Sequence, residues 1–131
     1  MNPLMKEKTT MKKILPFILL VMLFCISTSF AGEADVVDVQ VNKSGQSTYN
    51  FTVTVSHGDT GWEHYANKWD IIDEKGTVLG IRILHHPHVD EQPFTRSLSG
   101  VEIPQNIKVV QVRAHDSVHE YGGKIESVEL Q

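Results

Sequence analysis

Residues 49–56 alternate without a break, with Phe51, Val53 and Val55 on one face and Asn50, Thr52 and Thr54 on the other. A period of two describes a strand with one face on a core and the other in water. Similar short runs recur along the chain, and no stretch after residue 31 has helical periodicity. They predict strands over 36–41, 49–56, 68–73, 77–84, 94–103, 107–114 and 124–130. Turn-forming clusters separate them: Asn42–Gly45, Asp73–Gly76, Pro104–Asn106 and Gly122–Gly123, with a bend expected at Gly100. Seven short strands with turns at such spacing predict an all-β fold, an antiparallel β-sandwich. Trp69, on the third strand, is placed to plug its core.

The tryptophan and the strand count resemble the immunoglobulin and fibronectin-III class, in its disulfide-free form. That resemblance covers residues 32–131, is at the level of fold, and implies no function. The phrases His86–Phe94 and Arg113–His119 resemble those of small secreted bacterial proteins without an assigned role.

The first thirty residues read differently. Lys12 and Lys13 precede an apolar run from Ile14 to Ile26, and Ser29-Phe30-Ala31 supplies small residues at the positions a signal peptidase needs. Charge, short apolar run and small-residue exit define a secretory signal peptide over 1–31, followed by one domain over 32–131. The signal is complete from Met11, which marks an alternative translation start. Leu23-Phe24 before Cys25 lacks the small residues expected ahead of a lipidated cysteine, which argues against a lipoprotein. Cleavage would leave no stable membrane anchor and a periplasmic or secreted product.

Cleavage would also remove Cys25 and all four methionines. The exported part then has no disulfide and no sulfur ligand. From Gly32 onward there are 8 Lys+Arg and 15 Asp+Glu, so the net charge is 8 − 15 = −7. An acidic domain disfavours nucleic acid and anionic membranes and favours cations.

All seven histidines fall in this domain. If the strands run up and down, all of them lie at one end. His57 ends the second strand, His64 is in the loop that follows, and His85, His86 and His88 follow the fourth. His115 ends the sixth strand and His119 comes just after it. Loops at one end of a sandwich converge, and imidazole is a good ligand for Cu(II), Zn, Ni and Fe(II). Face parity directs His57 and His85 toward the inner mouth, continuing Phe51–Val55 and Leu79–Ile83. His57, His85, His88 and His115 are the expected first ligands, with Glu63, Asp90 and Asp116 as supporting carboxylates. Without Cys or Met, only a nitrogen/oxygen site is open, most naturally for Cu(II) or Zn, with Ni or Fe(II) next.

The sequence therefore predicts an exported metal-binding protein: a carrier, buffer or accessory factor whose partner is a metal ion or an envelope protein. The alternative is a recognition module without metal, using Trp62, Tyr65 and Tyr121 at the same end as a platform for a sugar, peptide or protein. Asp116, Ser117 and His119 also suggest a hydrolase, but no nucleophile elbow or oxyanion motif accompanies them, and nothing in the sequence demands catalysis.

Overall fold

The expected alternation becomes seven strands in the computed structural model, which describes residues 32–131: β1 (Asp35–Lys43), β2 (Thr48–Ser56), β3 (Ala66–Ile72), β4 (Val78–Ile83), β5 (Phe94–Glu102), β6 (Val109–Asp116) and β7 (Glu126–Glu129). The expected leader over 1–31 lies outside the described residues. The strands form two antiparallel sheets, β1-β2-β5 and β4-β3-β6-β7. The all-β antiparallel sandwich predicted from the sequence is the architecture observed, and each predicted strand matches one of these.

The inner faces meet in a core of Val36, Phe51, Val53, Val55, Trp69 and Ile71, joined by Phe94 and by Val110, Val112 and Ala114 of β6. Each fully buried apolar side chain of this size contributes about 1.5–3 kcal/mol. Period-two burial is strict along β2 and β6. It therefore brings His57, just past β2, and Asp116, the last residue of β6, to the mouth facing inward.

Beside a register shift in β1, between Val36 and Asp38, three bulges break the parity. Gly100, at φ 67°, lies where β5 slips against β2, so that Leu98 and Val101 pair with Phe51 and Tyr49. In β4, Ile71 pairs with Gly80 but Ile72 pairs with Val78, which leaves Leu79 unpaired. A Cβ on Gly80 would meet Val101 and Leu98, so this backbone faces the core. Parity then flips: Ile81 and Ile83 turn outward, 46% and 48% exposed, and His85 follows them into solvent. The expectation that His85 points into the mouth is thereby corrected. The third bulge, at Asn67, pairs Ala66 with Asp116 and Lys68 with His115.

The segment after β6 is tied across the sandwich. Val36 donates its N–H to the carbonyl of Lys124, and Lys124 donates to Asp35 Oδ1. A Cβ on Gly123 would come within 2.0 Å of the Ala34 carbonyl oxygen. Backbone cannot yield as a flexible side chain does. Gly123→Ala is therefore expected to destabilise the protein by about 1–3 kcal/mol, read by denaturant melts, because it forces this crossing apart. An unchanged midpoint would contradict the close approach.

Candidate metal centre

The mouth is built where three segments meet: the end of β2, the loop to β3, and the end of β6. His57 leaves β2 on its inward face, and its carbonyl accepts the N–H of Asp59, which bends the chain back at once. Thr60 N–H then donates to the His64 carbonyl, and His64 N–H to the Gly61 carbonyl, so the loop closes on itself and brings His64 over His57. Ser117 joins this loop to β6: its N–H donates to the Tyr65 carbonyl and its hydroxyl accepts the Tyr65 N–H.

Asp59 is the hinge of the arrangement. Its Oδ1 lies 2.5 Å from His57 Nδ1 and accepts the Ala66 N–H at 2.9 Å, while Oδ2 accepts the His88 N–H at 2.7 Å. A carboxylate on Nδ1 fixes the ring tautomer and leaves the Nε2 lone pair to face the mouth. Burial opposes the charge on both groups but is outweighed. The bond to Asp59 and the charges of Asp59 and Asp116 raise the His57 pKa, and the His57, His88 and Ala66 donors lower that of Asp59.

Asp116 is fully buried. Its Oδ1 accepts the N–H groups of Val118 and His119, at 2.8 and 2.6 Å. Those bonds, with the nearby His57 and His119, lower its pKa against burial. Its Oδ2 has no hydrogen-bond partner among the described residues. A buried, ionised oxygen without a donor costs several kcal/mol unless a cation answers it.

His57, His64 and Asp116 form the group that could hold a metal ion, with one ligand atom from each lying within 4.8 Å of the others. The two Nε2 atoms are 3.2 Å apart, His64 Nε2 is 3.3 Å from Asp116 Oδ1, and His57 Nε2 is 3.8 Å from Asp116 Oδ2. Donors about 2.0–2.1 Å from a tetrahedral metal stand roughly 3.3 Å from each other. The spacing is thus close to that of a bound set. Two ring nitrogens at hydrogen-bond distance need a proton on one of them, and a metal bound between them would replace it.

The other predicted site residues lie apart from this group. His119 is at its rim, with Nδ1 3.4 Å from Asp116 Oδ1. His88 is buried against Phe94, stacked at 4.0 Å, and its Nε2 lies 2.9 Å from Arg96 Nη2. A guanidinium only donates, so that lone pair is occupied. Burial, then Arg96, lowers the His88 pKa. His85 and His86 are exposed. His115 lies on the outer face of its sheet, with Nδ1 2.6 Å from Asn67 Oδ1, because strand parity turns inward at Ala114 and Asp116. Glu63 is exposed and accepts the Thr60 hydroxyl, and Asp90 is exposed in the β4–β5 loop. Ser117 Oγ accepts the Tyr65 N–H, and no hydrogen bond joins Ser117 to His119 among the described residues. Asp59, which is not among the carboxylates expected to support the site, is the residue that orients it. Its position two after His57 was the available signal.

The aromatic platform divides. Trp62, 67% exposed, meets Tyr65 edge-on at 5.6 Å. Tyr121 instead covers the outer face of the second sheet, donating to Asp70 Oδ2 at 2.7 Å beneath the Arg113 guanidinium, which itself grips Asp70. Burial and the Asp70 bond push the Tyr121 hydroxyl up to about 12.

Among known proteins, one from Halomicrobium mukohataei, named "Putative lipoprotein", is 42% identical over 92 residues, which are 70% of this chain and 45% of that protein. The chain thus spans less than half of that relative's length. No family model and no solved structure matches the chain.

Removing the Asp59 carboxylate strips the buried His57 of its partner and two backbone donors of their acceptor. Asp59→Ala should cost about 3–5 kcal/mol in denaturant melts. A loss under about 1 kcal/mol would contradict the role given to Asp59 here. The raised Tyr121 pKa makes a separate prediction. Its contribution to stability is complete below the ordinary value near 10 and is lost as pH rises from there through about 12. An ultraviolet titration should show one late tyrosine ionisation that Tyr121→Phe removes. A titration unchanged by that substitution would contradict the assignment.

Proposed function

We propose that this chain is an exported metal-binding protein whose sandwich mouth holds one divalent transition-metal ion through His57, His64 and Asp116. The observation that carries the reading is the convergence of these three donors around the unpartnered Asp116 Oδ2. The Asp59–His57 bond supports it, since a carboxylate behind a histidine is the usual second layer of a metal site. Two buried carboxylates also leave negative charge that a divalent ion would balance.

The donor set is nitrogen and oxygen only. It suits Cu(II) or Zn best, and also Ni or Fe(II), two histidines and one carboxylate being a known arrangement for the last. We assign the protein the part of a carrier, buffer or accessory factor, with the metal ion or an envelope protein as partner. The leader pattern over 1–31 and the lipoprotein name of the relative both support export, to the periplasm or beyond. On strand order alone, we read the three-plus-four sandwich as fibronectin-III-like. The exposed Trp62 against Tyr65 favours a second reading, recognition of a ligand or protein at the same rim.

The test is metal content by mass spectrometry on untagged protein, followed by thermal melts with Cu(II) and Zn(II). One ion per chain is expected, with a stability gain of about 2.7 kcal/mol at a hundredfold excess over Kd. His57→Ala and Asp116→Ala should each abolish binding, while His86→Ala leaves it intact. Absence of bound ion and of any shift, or retention of binding in both site variants, would overturn the proposal.

A further inference from the structure

The three donors differ from their neighbour His119 in one respect: they are held in place. The His57 ring is fixed through Asp59, the His64 backbone is bonded on both sides, and Asp116 accepts two backbone N–H groups. The side chains of His57 and Asp116 are 0% exposed and that of His64 is 15% exposed. The His119 side chain is 37% exposed, and the polar contact of its ring among the described residues is Nδ1 to Asp116 Oδ1, at 3.4 Å. Its ring centroid lies 5.0 Å from that of His64, at the open side of the group.

The backbone at this position is fixed, whereas the ring is partly exposed and held by one long contact. His119 N–H donates to Asp116 Oδ1, and the Asp116 and Glu120 backbones exchange both hydrogen bonds. Glu120 completes the turn at φ 60°, the left-handed region that side chains other than glycine rarely enter. The turn therefore anchors the Cα of His119 beside Asp116, and rotation about its side-chain bonds alone carries the ring toward or away from the mouth. Closed metal sites have four donors, whereas sites that exchange a ligand keep one position open. Three anchored donors and one anchored but swinging donor would give this protein both states.

We propose that His119 is the closing ligand of the site. It completes the coordination of the bound ion and is the donor that leaves when an acceptor's ligand, nitrogen or oxygen, enters to take the ion away. The proposal rests on the metal reading above and adds to it a route for transfer. No bond other than metal–ligand bonds forms or breaks: one imidazole nitrogen is exchanged for one incoming donor, and the bonds to His57, His64 and Asp116 then break as the acceptor supplies its further donors.

Cu(II) alone, added to the untagged protein, is the probe. Electron paramagnetic resonance should show three coupled imidazole nitrogens in the wild type and two in His119→Ala. Binding should weaken about tenfold, the lower end of what is lost when a metal site is impaired. Release to excess EDTA should be faster by a similar factor. His119→Ala should melt like the wild type without metal, because the ring is exposed, and His86→Ala should match the wild type in every readout. If His119→Ala keeps the wild-type nitrogen count and release rate while His57→Ala abolishes binding, the role of His119 is overturned and the three-donor site stands. If the wild type binds neither Cu(II) nor Zn(II), both proposals fall.

Discussion

The Asp59 carboxylate gathers the loop end of this sandwich. It holds the His57 ring, the first backbone N–H of β3 and the N–H of His88 in the β4–β5 loop, so a single side chain ties three segments, the farthest of them 29 residues from it. All of these contacts are buried. A carboxylate so placed must be fully hydrogen-bonded to be tolerated, and Asp59 is. Its partners fix the direction of the His57 lone pair, and that direction decides what the mouth can bind.

Asp116 is the complement of Asp59. One of its oxygens is committed to the turn that follows β6, while the other is buried with no donor. The fold therefore delivers one satisfied carboxylate behind His57 and one half-satisfied carboxylate in front of it. At the mouth, His57, His64 and Asp116 form a group that could hold a metal ion. His88 and His115 show the contrast. Each is drawn into a local polar contact, with Arg96 or Asn67, that uses a ring nitrogen and keeps it away from the mouth.

Most of the architecture was legible in the sequence because side-chain alternation and turn chemistry report directly on strands. The end of the sandwich that carries the histidines was legible for the same reason. The face of each histidine was legible only where alternation ran unbroken. Along β2 it placed His57 correctly. Along β4 the unpaired Leu79 reversed the faces, and His85 went outward with Ile81 and Ile83. The β6 alternation of Val110, Val112 and Ala114 continues to Asp116 rather than His115, so the carboxylate and not the imidazole faces the mouth. The roles of Asp59 and Arg96 depend on contacts across loops, and spacing along the chain does not encode these.

A crystal structure grown with Cu(II) or Zn(II), with anomalous scattering recorded at the metal edge, tests the central claim most directly. The account predicts one strong peak between His57 Nε2, His64 Nε2 and Asp116 Oδ2, at about 2.0–2.2 Å from each. A peak at His85, His86 or His115 with none at the mouth would contradict it.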